Sequence, residues 1–351
     1  MTTAVLLSGG VDSSVALRRL QDQGHDNLVA FYLKVWLEDE LSYLGGCPWE
    51  EDLEYARSVC KTAGVPLEVV PLQAEYLERV VSYTIAELEA GHSPSPDILC
   101  NQHIKFGAFY EHLDGSFEKV ATGHYARIRE QNGRFLLCRG LDPVKDQTYF
   151  LSHLKQAQLA RCLFPIGELQ KSEVRELAKE YSLPNSERPD SQGICFLGKI
   201  RYNDFVQHHL GEQPGEILEV ETGRRLGEHR GYWFHTIGQR KGLGLGEGPW
   251  YVVRKDLAEN VIYVSHHEQL AAQARNRFQA RDPSWTVESP SPGPCQVKIR
   301  HSEHTYDANL QFITPERLDV ELASEDPGIA AGQFAVFYDG EVCLGGATIA
   351  G

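Results

Sequence analysis

The stretch that most constrains this chain is Leu6-Leu7-Ser8-Gly9-Gly10-Val11-Asp12-Ser13-Ser14-Val15-Ala16. The apolar run from Ala4 to Leu7 reads as a buried strand, and Val11, Val15, Ala16 and Leu20 fall on one face of a following helix. Two glycines between them let backbone N–H groups approach an anion closely, and the helix start adds the positive end of its dipole. Ser8, Ser13 and Ser14 supply hydroxyl donors, and Asp12 could hold a metal or order the turn. No Lys-Ser/Thr pair ends the loop, so it is not of the Walker type. A bland strand-turn-helix corner rarely gathers so many anion donors; a phosphate-binding loop is expected.

Downstream, strands at Leu28–Val35, Leu67–Val70 and Lys119–Thr122 alternate with helices at Trp49–Ala63, Tyr76–Leu88 and Ser172–Tyr181. Such alternation predicts an α/β domain with a doubly wound parallel sheet, its ligands at the carboxyl ends of the strands. Leu33 and Gly123 would line that crevice. After Leu210 the helical pattern fades into short strand-like runs broken by Gly and Pro. From Asn276 alternating segments such as Cys295–Arg300 and Phe334–Tyr338 suggest a closed antiparallel barrel or sandwich. The expected division is 1–200, 201–273 and 274–351.

No apolar run approaches the about 20 residues needed to cross a bilayer, and no basic-then-apolar leader opens the chain. The eight cysteines are scattered without a Cys-x-x-Cys pair. That argues for reduced thiols in a cytoplasmic setting, against a disulfide framework or zinc ribbon, and no metal-ligand spacing is present. The formal net charge of −15 weighs against a nucleic-acid partner. Three basic segments offset it: Arg127, Arg129, Arg134, Arg139 and Lys145; Arg224-Arg225; and Arg240-Lys241.

Three cysteines stand in or beside loops, Cys47 of Gly45-Gly46-Cys47-Pro48 among them. Cys100 follows Ser95-Pro96-Asp97 near a loop-to-helix junction, where a thiol pKa falls and the nucleophilic thiolate gains. Asp97 could shuttle a proton; equally, it could cap the helix over a core cysteine. Cys195, in Asp190-Ser191-Gln192-Gly193-Ile194-Cys195-Phe196, is either an exposed, mobile thiol or a core residue between Ile194 and Phe196. Cys60 and Cys162 fall on apolar helix faces, and Cys138, Cys295 and Cys343 in strand-like runs. Gly123-His124-Tyr125-Ala126-Arg127, Lys145-Asp146-Gln147-Thr148-Tyr149-Phe150 and His235–Gly242 each place base, amide or glycine groups where a phosphate or nucleobase could be held.

Ser-Gly-Gly-x-Asp-Ser resembles the pyrophosphate (PP) loop of ATP pyrophosphatases, enzymes that adenylylate a carbonyl oxygen and release pyrophosphate. With Pro96-Asp97-Ile98-Leu99-Cys100-Asn101, Gly123–Arg127, Lys145–Gln147, Ser191–Phe196, His235–Gly242, Gly332-Gln333 and Ala335–Tyr338, it occurs in the same order in the MnmA-type tRNA-specific 2-thiouridylases. The resemblance spans essentially the whole chain and implies a PP-loop ATP pyrophosphatase domain, a small central β domain contacting tRNA and a C-terminal β-barrel. It implies exchange of O2 of the wobble uridine (position 34) for sulfur in tRNAs for Lys, Glu and Gln, with ATP and Mg²⁺. A cysteine-desulfurase-derived persulfide donor, a monomer and no membrane association complete the picture.

Carried over by position, Leu6, Leu7, Ser8, Gly9, Gly10, Val11, Asp12, Ser13, Leu33 and Gly123 would bind ATP. Cys100 would be the nucleophile, Cys195 the persulfide carrier and Asp97 an acid/base group. Ser95, Pro96, Asp97, His124, Lys145, Asp146, Gln147, Arg300, His301 and Gln333 would touch tRNA. The chain departs from the family at Ser95, where Asn is usual, at Leu33, where Met is frequent, and at His301, where Tyr is frequent. Uracil O2 is a poor leaving group, so ATP would adenylylate it first, Mg²⁺ and the glycine loop stabilising pyrophosphate. Sulfur would follow from a Cys195 persulfide that Cys100 attacks or receives as a transient disulfide partner. An iron–sulfur cluster on Cys100 and Cys195, with Asp97 a further candidate, is an alternative, though two thiols are short of the usual four. The rivals are a small-molecule AMP-forming ATP pyrophosphatase and a nucleotide-gated tRNA-binding module.

Overall fold

The computed structural model describes residues 2–35, 48–190, 202–266 and 274–350. Strands β1 (Thr2–Leu6), β2 (Leu28–Lys34), β3 (Leu67–Pro71) and β4 (Phe117–Ala121) are joined, after a hairpin of β5 (Ala126–Gln131) and β6 (Arg134–Arg139), by the short β7 (Cys162–Leu163). Those five, without the hairpin, form a parallel sheet in the order β3-β2-β1-β4-β7. Helices α1 (Val11–Asp22) and α2 (Pro48–Ala63) follow β1 and β2. A helical run α3 over 73–89 has a π turn at Leu77–Val81, and a second, α4 over 96–112, is π-helical from Cys100 to Ala108. Helix α5 (Lys171–Glu180) follows β7. The chain leaves β1 toward β2 on one side and reaches β4 on the other, so the topological switch point lies between β1 and β4.

After helix α6 (Tyr202–Leu210), a small sheet of β8 (Gly215–Glu219), β9 (Arg225–His229), β10 (Trp250–Asp256) and β11 (Val261–His266) runs in the order β10-β11-β8-β9. Its core is Ile217, Leu243, Trp250, Val252, Ile262 and Val264. The last six strands are β12 (Arg275–Trp285), β13 (Gly293–Lys298), β14 (Tyr306–Thr314), β15 (Arg317–Asp326), β16 (Phe334–Asp339) and β17 (Val342–Ile349). Pairing of β12 with β17 closes them into the antiparallel barrel expected. Cys162 lies in β7 rather than on a helix: the apolar residues around it are a two-residue strand at the sheet edge.

The barrel is not a free appendage. Hairpin β5–β6, from within the N-terminal segment, extends the barrel's sheet through pairing of Val342 with Cys138. Strand β16 is buried from Phe334 to Tyr338, because its two faces serve two cores. Ala335 and Phe337 fill the barrel, while Phe334, Val336 and Tyr338 join the core around the parallel sheet. This explains why Phe-Ala-Val-Phe-Tyr is apolar at every position.

A buried ion pair crosses the same joint. Lys298 Nζ of β13 lies 3.2 Å from Asp146 Oδ2, and both side chains are 2% exposed. The other carboxylate oxygen accepts from Thr148 Oγ1 (2.8 Å), Thr148 N (3.2 Å) and Gly140 N (3.3 Å). Arg139 Nη1 lies 3.7 Å from the same oxygen, so loss of Lys298 leaves the buried carboxylate only that more distant cation; breaking a buried pair costs about 3–5 kcal/mol, the lower end applying here. Lys298→Met is therefore expected to lower stability by about 3 kcal/mol, read as a lower denaturant midpoint. An unchanged midpoint would show that the pair does not hold the joint.

Candidate nucleotide and base site

The loop after β1 is shaped by close backbone contacts. Gly9 has φ +75°, and a Cβ there would lie 2.3 Å from the carbonyl oxygen of Asp52 in α2. Across the switch point, a Cβ on Gly123 would lie 2.6 Å from Ser13 N. Ser13 Oγ accepts from Ser8 N (3.2 Å) and donates to Gly10 O (3.0 Å), fixing the loop to the first turn of α1. Ser14 Oγ also donates to Gly10 O, at 2.9 Å. Gly10 occupies the N-cap position, and no side chain caps α1. Its first N–H groups therefore keep their capacity to bind an anion. Leu6 and Leu7 are buried, Val11 anchors the helix start in the core, and Leu33 is half-buried near the end of β2.

Five residues that sequence reading missed surround this loop. Asn185 Nδ2 donates to Gly9 O (2.8 Å) and Ser14 Oγ (2.9 Å), and Arg188 donates to Gly9 O (3.0 Å) while pairing with Asp52. Asp12 Oδ1 accepts from Lys171 Nζ (2.6 Å) and Tyr125 OH (3.0 Å). Lys171 also reaches Asp190 Oδ1 (2.8 Å), which Arg175 pairs with as well; Lys145 holds Oδ2 at 2.8 Å. Burial pushes the Asp190 carboxyl up, but hydrogen bonds from Lys145 and Lys171 and their charges outweigh it and hold it well below the usual carboxylate range. The only advance signal was that Asn185, Arg188 and Asp190 flank Pro184 and Pro189, beside the stretch carrying Cys195; Lys171 and Arg175, on α5, gave none.

Cys100 is 4% exposed and begins the π-helical part of α4; Pro96 takes the first helical position and Asp97 lies in the first turn, behind Ser95 as N-cap. The neighbouring Asn101 donates to Phe150 O at 3.0 Å, and its Oδ1 is buried without a hydrogen-bond partner. His301 stacks on Phe150, with ring centroids 4.4 Å apart, and its Nε2 lies 3.3 Å from Asp146 O. Asp97 also contributes to the electrostatic field at His301. The structure thus groups α4, Phe150 and His301. Arg300 is clamped by Asp326 at 2.6 and 3.0 Å, and Gln333 sits at the barrel edge with its Oε1 buried and unbonded. Cys195, like Cys47, lies outside the described residues.

Several residues expected to contact nucleic acid also have partners within the protein. His124 is buried between Phe106 and Phe164, its Nδ1 2.7 Å from Thr122 Oγ1, and burial followed by the nearby Lys105 charge holds it neutral. Lys145 pairs with Asp190, Asp146 with Lys298, and Gln147 Oε1 accepts from Tyr125 N at 3.0 Å. The basic segment expected to offset the acidic body is itself neutralised. Arg127 and Arg129 pair with Glu341, Arg134 with Glu288, and Arg139 lies over the Tyr338 ring. Those carboxylates come from the barrel, far along the chain.

A nucleotide-binding α/β domain with its loop at the switch point, carrying two β modules, is the class that this geometry defines. Family models agree in order: "tRNA methyl transferase HUP domain" matches residues 1–199, "tRNA methyl transferase PRC-barrel domain" 203–266 and "Aminomethyltransferase beta-barrel domain" 275–349. Among curated relatives, a "tRNA-specific 2-thiouridylase MnmA" from Parabacteroides distasonis is 45% identical over 99% of both chains. A "tRNA-specific 2-thiouridylase MnmA 2" from Bacteroides fragilis is 46% identical over 99% of this chain and 100% of that one. The chain belongs to the MnmA family of tRNA-specific 2-thiouridylases. A weaker likeness is to the "U34-tRNA thiolase NcsA from Methanococcus maripaludis with its [4Fe-4S] cluster". It has TM-score 0.36 at 18% identity over 55% of this chain and 61% of that one, too low to bear on cofactor content.

Two outcomes test the site. Gly123→Ala forces the start of α1 away from β4 and should weaken ATP binding by about tenfold or more, measured by calorimetry; unchanged affinity would mean that the close approach is not needed. Asp190 is held ionised in the folded chain, so its contribution is present above the ordinary carboxylate pKa and is lost as pH falls toward the depressed one. Asp190→Asn should therefore be less stable than wild type at pH 7, with the gap narrowing at pH 3 in urea unfolding. A gap independent of pH would rule out the ion pairs as its source.

Proposed function

We propose that this chain is an AMP-forming tRNA 2-thiouridylase. The observation that carries the reading is the uncapped, glycine-walled start of α1 at the switch point, in a chain whose full-length relatives bear that name. The residues present fit ATP. Leu6 to Ser13 and Gly123 form a cradle without side chains where the backbone must meet phosphate, and Leu33 flanks it. Mg²⁺ bound with ATP would neutralise the departing pyrophosphate; Asp12 is the carboxylate on the loop itself.

Uridine O2 attacks the α-phosphorus, pyrophosphate leaves, and C2 then carries an adenylate as its leaving group. The N–H groups of α1 bind the phosphates, while Asp97, in the first turn of α4, handles a proton at the base. Cys195 carries the incoming sulfur as a persulfide. The Cys100 thiolate attacks the Cys195 Sγ, a Cys100–Cys195 disulfide forms and hydrosulfide is released. Hydrosulfide adds to C2 and AMP departs. A thiol reductant, supplied with the sulfur donor, returns the disulfide to two thiols. The substrates are the wobble uridines of tRNAs for Lys, Glu and Gln, in a splayed loop that lets the base be reached. Ser95, Pro96, Asp97, Lys145, Gln147, Arg300, His301 and Gln333 contact that loop, with the buried His124 and Asp146 holding the contact segments in place. The setting is the cytoplasm.

Incubation with ATP, Mg²⁺, a persulfide donor and unmodified tRNA, followed by mass analysis of anticodon nucleosides, should yield 2-thiouridine. Cys100→Ser and Cys195→Ser should each abolish it while ATP binding survives. Full thiolation by both variants would rule out the two-cysteine route.

A further inference from the structure

Asp97 and Cys100 lie in α4, and the stretch that leads into α4 is fastened to both β modules. Toward the barrel, Glu87 near the end of α3 accepts through Oε1 from Arg281 Nη2 of β12 at 3.0 Å, and its Oε2 lies 2.8 Å from His92 Nδ1. Tyr83, one turn earlier on α3, hydrogen-bonds Thr348 of β17. Ser93 N donates to Ala331 O at 2.8 Å. Toward the central sheet, Tyr232 OH donates to Glu89 O (2.7 Å), and Ser93 Oγ donates to Thr236 Oγ1 (3.2 Å).

The barrel side of this joint leaves no room for a methyl group. Gly332, in the turn before β16, has φ +84°. A Cβ there would lie 2.6 Å from His92 Cβ, 2.9 Å from Ser93 N and 3.3 Å from Glu87 Oε2. Gln333 follows directly, its carbonyl accepting from Ile349 N at 2.8 Å, so it is held to the same turn. The Glu87 side chain is 13% exposed, which shields its pairing with Arg281 from water and salt more than a surface pair. Past the joint, Ser93-Pro94-Ser95-Pro96 has two prolines in four residues. Each fixes its own φ and restricts the residue before it, so a shift at Ser93 is passed on to Asp97 instead of being absorbed.

We propose that Glu87 is a positioning residue for thiolation. By fastening the stretch 92–96 to Arg281 of the barrel, it registers Asp97 and Cys100 to the turn that bears Gln333. It touches neither ATP nor the target base, and the inference rests on the thiouridylase reading. A tRNA held by the barrel then presents its uridine where Asp97 and Cys100 stand. Loss of the link slows the reaction without loosening either substrate.

The test is single-turnover thiolation by the full chain at saturating ATP, tRNA and persulfide donor, with the Kd for ATP and for tRNA measured separately. Glu87→Ala and Arg281→Ala should each lower the rate by about tenfold or more, with both Kd values and the thermal midpoint unchanged. Arg281→Ala carries the test by itself if Glu87→Ala does not fold, because it leaves α3 intact. The double variant should fall no further than Glu87→Ala, since the two residues act as one unit. Glu87→Gln, which can still hydrogen-bond both partners, should recover most of the rate. Arg277→Ala is the control: on the same strand but paired with Glu321 inside the barrel module, it should react at the wild-type rate. A wild-type rate in Arg281→Ala, losses that multiply in the double variant, or an equal loss in Arg277→Ala overturns the positioning role alone. So does a loss of rate accounted for by weaker substrate binding or a lower midpoint. A wild-type chain that forms no 2-thiouridine overturns the thiouridylase reading and the positioning role together.

Discussion

The start of α1 is pressed between two backbones, that of Asp52 against Gly9 and that of Gly123 against Ser13, and a side chain fits in neither contact. Everything at the site follows from that packing. It holds β1, β4 and α2 at one point, leaves the first N–H groups of α1 without a capping side chain, and brings Asp12 within reach of Tyr125 and Lys171. The candidate anion site is thus a product of how closely the elements approach, with the serine hydroxyls tying the loop shut behind it. Asn185 and Arg188 brace the loop from a segment whose end leads toward Cys195.

A second constraint joins the three parts of the chain. Strand β16 has no solvent face, since it closes the barrel with one side and completes the core of the parallel sheet with the other. The Asp146–Lys298 pair and the β5–β6 hairpin fall at the same joint. Burying a charge pair adds little net stability over apolar packing, but it penalises any other alignment of the two parts. His301 is carried by the barrel, yet it stacks on Phe150 beside α4. Its position relative to Asp97 and Cys100 therefore depends on that alignment.

Features written locally were legible in the sequence. The strand-glycine-helix corner, the β/α alternation and the Pro96 entry into α4 each sit within a dozen residues, and local pattern decides them. Charge was not legible. Arg127, Arg129 and Arg134 look like a basic segment until Glu341 and Glu288 arrive from about 150 to 210 residues away. The same reason hid Lys171 and Asp190, ordinary surface residues by sequence, whose meaning comes only from contact with Asp12 and with each other. Lys-Asp-Gln at 145–147 gave no sign that each side chain has a partner in the protein: Asp190 for Lys145, buried Lys298 for Asp146 and the Tyr125 backbone for Gln147.

The central claim is that the glycine loop serves to turn uridine O2 into a leaving group on the α-phosphate of ATP. It is tested most directly by following that oxygen. A tRNA transcript with ¹⁸O at C2 of the wobble uridine, thiolated by the purified chain with ATP, should return one ¹⁸O in the phosphate of AMP for each 2-thiouridine formed. Unlabelled AMP accompanying 2-thiouridine, or label found in inorganic phosphate or pyrophosphate, would contradict it.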